Sequence, residues 1–164
     1  MAEPARAQLP EGKAERYVAL RAEIAAVIDG EPNRIARLAS ASSLLAQAFP
    51  DRFFWTGFYL VDETRPRELV IGPYQGTLGC LRIPFDKGVC GACASRRESI
   101  IVPDVHAFPG HIACDSRSNS EIVVPVFDAN GELAAVLDID SVSFNSFDEV
   151  DQAGLGAICS DLLR

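Results

Sequence analysis

The sequence has little that would take it to a membrane or to nucleic acid. No stretch approaches the ~18 consecutive apolar residues of a membrane-spanning helix. No cationic segment followed by an apolar core opens the chain, so no signal peptide is expected. Basic residues are scarce: 15 Lys and Arg against 23 Asp and Glu leave a net charge of −8. Nucleic acid and anionic membrane both call for a basic field, so neither is expected as a partner. Charged residues make up 23% of the chain and hydrophobic ones 48%, which argues against disorder. Internal repeats and linkers are also missing, and 164 residues suit one domain with a full core. Nor is there an even cysteine framework. Five cysteines, unevenly spaced, fit working thiols in a reducing cytoplasm better than structural disulfides.

What is present reads as an α+β chain. Residues 1–10 form a loose tail, and 11–164 form the domain. Tyr17, Leu20, Ile24, Val27 and Ile28 recur at helical spacing before Gly30, and Ile35, Leu38, Leu45 and Phe49 do so before Pro50. From Phe53 to Val61 the chain is aromatic and β-branched, hence a strand. Residues 68–72 pair back on it as a hairpin, and 72–76 are expected as a loop. A short strand over 81–84, a small-residue helix over 88–97 and a strand over 99–102 precede a long loop, 103–119. Strands over 122–127 and 133–140 flank an Asn130-Gly131 turn. Ser146 to Glu149 reads as a capping box for a last helix burying Val150, Leu155, Ile158 and Leu162. This order predicts one central antiparallel sheet, with the terminal helices on one face and long loops on the other.

The chemistry concentrates between Gly79 and Asp140. This stretch holds Cys80, Cys90, Cys93 and Cys114, both histidines (His106 and His111), and three carboxylates on or beside apolar runs, Glu121, Asp138 and Asp140. A buried carboxylate costs several kcal/mol unless something answers it, so an Asp-Ile-Asp strand end points to a task. Three readings compete. Cys90, Cys93, His106 and His111 match the spacing of a two-cysteine, two-histidine zinc finger. Pro109 and Gly110 interrupt the histidines, however, and no basic helix follows, so no metal is expected. A Cys114–His111–Asp115 nucleophile is disfavoured because such partners normally lie far apart in sequence. Thiol redox remains: an exposed loop thiol such as Cys114 can become a sulfenic acid, which Cys80 or Cys90 would condense to a disulfide. Read singly, Cys80 and Cys90 would be small buried hydrophobes.

The chain resembles the free methionine-(R)-sulfoxide reductases, a GAF-domain family. The resemblance runs through Gly88-Val89-Cys90-Gly91, Asp104-Val105-His106, Gly110-His111-Ile112-Ala113-Cys114-Asp115, Ser118-Asn119-Ser120-Glu121-Ile122 and Leu137-Asp138-Ile139-Asp140-Ser141. It also takes in residues 55–59 and 72–76. It implies a GAF-like domain in which Cys114 is the nucleophile, Cys80 the resolving thiol and Cys90 an aid to binding or resolution. It further implies Glu121, Asp138 and Asp140 as substrate-binding carboxylates, Trp55 and Tyr59 as pocket walls, no bound cofactor, and thioredoxin as external reductant. A homodimer is compatible with it. Cys93, where a non-thiol is expected, and Tyr74, in place of Phe, depart from the pattern.

The residue types suit such a substrate. Free methionine sulfoxide carries an ammonium, which carboxylates can hold. Three clustered carboxylates resist full ionisation, so one can keep a proton for the sulfoxide oxygen. Trp55 offers an aromatic wall to the methyl group and sulfur. Asp140 serves equally well as a turn cap. A GAF-type ligand or redox sensor without turnover is the alternative, but a sensor is expected beside an output domain.

Overall fold

A computed structural model describes residues 8–164. The expected tail therefore lies, over residues 1–7, outside the described residues. The sheet is built from β1 (Trp55–Val61), β2 (Glu68–Gln75), β3 (Arg82–Pro84), β4 (Ile100–Val102), β5 (Ser120–Phe127) and β6 (Leu133–Ser141). Every pairing is antiparallel, in the order β3-β2-β1-β6-β5-β4. Helices α1 (Lys13–Val27), α2 (Arg34–Ala48) and α4 (Glu149–Leu162) cover one face, and α3 (Gly88–Arg96) and the loops cover the other. The expected α+β architecture with helices to one side is what forms. Among the described residues no helix is long and apolar enough to cross a membrane.

Strand periodicity sorts the two faces. Phe58, Ile122, Val124, Leu137 and Ile139 point under the three long helices, joining Leu20, Ile24, Leu38, Leu45, Leu155 and Ile158 in one core. Their alternate neighbours Trp55, Tyr59, Val123 and Val136 face α3 in a second, smaller cluster. This is why Asp-Ile-Asp makes sense: Ile139 enters the helical core while Asp138 and Asp140 turn to the opposite face.

Several local expectations are corrected. Strand β2 continues through the segment expected as a loop, because Tyr74 pairs with Gly57 and Gln75 with Thr56. Pro73, which has no N–H to give, falls where the register slips between Gly57 and Tyr59, so no ladder bond is lost. The strand expected from Phe53 begins at Trp55, and the helix expected from Glu11 begins at Lys13. Val27, Ile35 and Val150, each in a terminal helical turn, are exposed where burial was expected. The capping box lies two residues later than expected. Asp148 accepts from the Val150 and Asp151 amides, and Asp151 accepts from the Asp148 amide. Asp151 is fully buried there, answered by the Tyr17 hydroxyl at 2.7 Å, Arg52 at 3.0 Å and Lys13 at 3.0 Å. This ties α1 to α4.

Candidate active site

On the face away from the long helices, the registers line up a floor. Trp55 pairs with Asp140, which pairs on its other side with Glu121. In the next row Gly57 pairs with Asp138, which pairs with Val123. The three carboxylates are thus adjacent on one face of β5 and β6. Gly57 is required in that row. A Cβ there would lie 2.2 Å from Tyr74 Cβ and 2.8 Å from the Trp55 ring. A glycine inside a strand is the sequence signal for such a close approach.

Walls rise from this floor. Trp55 stacks on Tyr59 with ring centroids 5.7 Å apart, and Tyr74 stacks on Trp55 at 5.1 Å. The Trp55 indole N–H donates to the Thr77 carbonyl at 2.8 Å. Opposite stands the first turn of α3, where Gly88, Val89 and Cys90 line the cleft. That helix approaches β3 closely enough that a Cβ on Gly91 would lie 2.3 Å from the Pro84 carbonyl oxygen. The Gly88 amide donates to the Gly110 carbonyl, fixing the 103–119 loop against the helix start.

Cys114 hangs over the mouth. It is bonded to Cys80, with Cα atoms 5.4 Å apart, whereas Cys90, Cys93 and Cys159 are free and buried. A second clamp joins the same two loops: the Thr77 hydroxyl donates to Asp115 at 2.8 Å. Arg117 at 2.7 Å from Asp115 holds that carboxyl well below its ordinary range. Cys90 is only 3% exposed, and burial, then the charges of Asp138 and Glu121, push its thiol well up. Cys90 is therefore a neutral thiol beside the carboxylates.

The carboxylates themselves are perturbed upward. Burial raises Glu121, Asp138 and Asp140, and each is raised further by the charge of another member of the set. The contact between Glu121 and Asp138 favours the proton on Asp138 and the charge on Glu121. Asp138 Oδ1 is buried and has no hydrogen-bond partner among the described residues. Asp138 is among the residues that line the cleft. Tyr59, buried among the same groups, is raised by burial and then by Asp138, so its hydroxyl stays protonated.

All eight expected site residues line the cleft or cap it: Trp55, Tyr59, Cys90, Cys114, Glu121, Asp138 and Asp140 in its lining, and Cys80 bonded to Cys114. The zinc-finger set is not assembled. His106 is exposed with Nδ1 2.8 Å from Asp104, while His111 lies in the cleft with Nε2 3.6 Å from Glu121. The hydrolase-like set fails too, since Asp115 serves Arg117 and Thr77, and His111 faces Glu121. Sequence reasoning gave no site role to Gly57, to Thr77 or to Ser118, which lines the cleft and hydrogen-bonds Asp140, and it gave His111 only the roles of metal ligand or partner to a Cys114 nucleophile.

The GAF domain profile matches residues 31–162. The chain is 47% identical to GAF domain-containing protein A of Dictyostelium discoideum, covering 89% of each chain. It is 43% identical to free methionine-R-sulfoxide reductase of Escherichia coli, covering 92% of this chain and 88% of that one. Among solved structures it is similar to the free methionine-R-sulfoxide reductase of Neisseria meningitidis in complex with its substrate. There the TM-score is 0.88 at 44% identity, covering 96% of this chain and 93% of that one.

Proposed function

The chain belongs to the GAF-domain family of free methionine-R-sulfoxide reductases, and on that premise we propose that residues 11–164 reduce free L-methionine-(R)-S-oxide to methionine. The observation that carries this reading is the cleft that sets a buried carboxyl cluster, with Asp138 Oδ1 unpartnered among the described residues, below a redox-capable cysteine pair. Glu121, Asp138 and Asp140 hold the substrate ammonium. The amides of Val89 and Cys90 belong to the first turn of α3, where N–H groups lack an intrahelical acceptor, and they suit the substrate carboxylate. Trp55 and Tyr59 enclose the methyl group and sulfur.

In the reduced enzyme the Cys114 thiolate attacks the sulfoxide sulfur while a proton from the carboxyl cluster goes to the oxygen. That oxygen leaves with Cys114 as a sulfenic acid, and methionine departs. The Cys80 thiol then displaces the oxygen as water, giving the Cys80–Cys114 disulfide. Cys90 stays a neutral thiol and contributes to binding. A dithiol protein of the thioredoxin class restores both thiols and leaves as a disulfide. Support for a protein reductant comes from Leu78 and Leu81, 82% and 74% exposed on either side of Cys80, an apolar margin beside the bond to be broken. A reducing cytoplasm suits this cycle.

The test is a coupled assay of thioredoxin, its reductase and NADPH with each epimer of methionine sulfoxide, free and N-acetylated. The free R epimer should turn over, and the S epimer and the acetylated forms should be nearly inert. Comparable turnover of the acetylated R epimer would remove the ammonium argument.

A further inference from the structure

Three potential metal donors from α3, β5 and β6 converge at the base of the cleft. The Cys90 sulfur, one Glu121 oxygen and one Asp138 oxygen all lie within 4.8 Å of one another, on three buried side chains. We propose that this trio is a reversible site for a borderline divalent transition cation, Zn2+ above all, whose occupancy shuts out substrate. The binding site stands on its own geometry, and only the inhibition rests on the reductase reading.

The donor set selects the cation. One thiolate and two carboxylates match Zn2+, which takes sulfur at about 2.3 Å and oxygen at about 2.0–2.2 Å. The corresponding tetrahedral edges are about 3.3–3.7 Å, so the trio need contract by only about 1 Å, within reach of side-chain adjustment. Magnesium and calcium ask for six or more oxygens and do not favour sulfur. A second observation points to a ligand independently of the clustering. Asp138 lines the cleft and is 6% exposed, yet its Oδ1 has no hydrogen-bond partner among the described residues. A fourth donor is near. His111 lines the same cleft, with its Nε2 3.6 Å from Glu121.

Without a cation the thiol and carboxyls are driven toward their protonated forms by burial and by one another. A bound dication reverses that balance, and its entry releases the protons these groups carry. Affinity therefore rises with pH. The groups facing the site are Cys90, Glu121, Asp138, Asp140, His111 and Tyr59. Tyr59 stays protonated, so the slope is set by the other groups. The cation is an inhibitor and not a cofactor, so chelation should leave activity intact.

The Cys80–Cys114 disulfide provides a clean test, because in that form Cys90 is the one unbonded cysteine in the cleft. The full chain, chelated and held as the disulfide, is titrated with Co2+ while the near-ultraviolet thiolate-to-cobalt band is followed. One equivalent should bind with that band, Zn2+ should displace it, and the affinity should climb as pH rises. Cys90→Ser should abolish the band, and Glu121→Gln, which keeps the thiol, should weaken binding at least about tenfold. Absence of the band, its survival in Cys90→Ser, or affinity unchanged in Glu121→Gln overturns the site. In the reduced enzyme Zn2+ should raise KM for the sulfoxide and leave kcat unchanged. A Zn2+ effect on kcat alone would overturn the inhibitory role while leaving the cobalt result standing. A chain that binds cobalt but turns over no methionine sulfoxide would fail the reductase reading and not the site.

Discussion

Replacing Asp138 by Asn should make the protein more stable and less active, and the stability gain should grow with pH. Asp138 is 6% exposed, with one oxygen unpartnered, and burial followed by the Glu121 charge holds its pKa well up. Below the unfolded carboxyl pKa, about 4, the side chain is protonated in both states and the substitution is close to neutral. Above it the unfolded chain gives up the proton while the folded one keeps it. The folded state then binds more protons, and stability falls as pH rises, by about 1.4 kcal/mol per pH unit until the folded group ionises. Asn does not titrate, so this loss disappears. Over the first unit above about pH 4.5 the variant should gain about 1 kcal/mol, a Tm difference of about 2–4 °C for a chain this size. Function should move the other way. Asn keeps a carbonyl acceptor for the ammonium but has no acidic proton for the sulfoxide oxygen. Positioned proton transfer contributes about 10²–10⁴-fold, so kcat/KM should fall by about 100-fold or more, mostly through kcat. Thermal melts of both proteins from about pH 4 to pH 8, beside saturation kinetics, read both effects. Parallel melting curves at every pH, or an undiminished kcat/KM, would refute the argument. The first would mean an ionised, satisfied aspartate, and the second a carboxyl that never meets substrate.

The thiols should separate by role. Cys114→Ser should lose even a single turnover, and Cys80→Ser should complete one and stall with Cys114 oxidised. Cys93→Ser should change little, all read by mass spectrometry after one equivalent of sulfoxide. Leu81→Glu should raise KM for thioredoxin while leaving the dithiothreitol-driven rate unchanged. An equal loss with both reductants would deny the apolar margin its docking role.

The fold was legible wherever one periodicity governed a long segment. The three long helices and strands β1, β5 and β6 follow the pattern of their apolar residues, and the loop 128–131 turns on Gly131 with φ +77 as its Asn-Gly signal implies. It was illegible where tertiary pairing overrides local preference. Gly72 to Gly76 reads as a loop, yet a strand absorbs Pro73 because its partner slips register opposite it. The cap of α4 reads as Ser146, but Ser146 is taken by Ser141 at 2.8 Å. Asp148 supplies the cap, because Asp151 is already fixed by Arg52 and Tyr17.

The site was legible as a set of residues and not as a set of roles. Carboxylates at alternate positions of an apolar strand announce a polar face, and the register then explains how Glu121 and Asp140 come to lie opposite each other. Spacing and residue type alone, by contrast, do not separate Cys80 from Cys90 as partner for Cys114; only the family resemblance pointed to Cys80. The distinction lies in what carries each thiol. Cys90 sits on the first turn of α3, packed against the strands that bear Glu121 and Asp138, where burial and charge keep it a neutral thiol. Cys80 sits in the segment between β2 and β3, already tied through Thr77 and Asp115 to the loop of Cys114. A resolving thiol has to move onto its partner's sulfur and later let it go, which a loop permits and a packed helix resists. A thiol that stays beside the substrate has to hold still, which the helix enforces. The residue type is the same in both places, so only the supporting element can divide the two tasks.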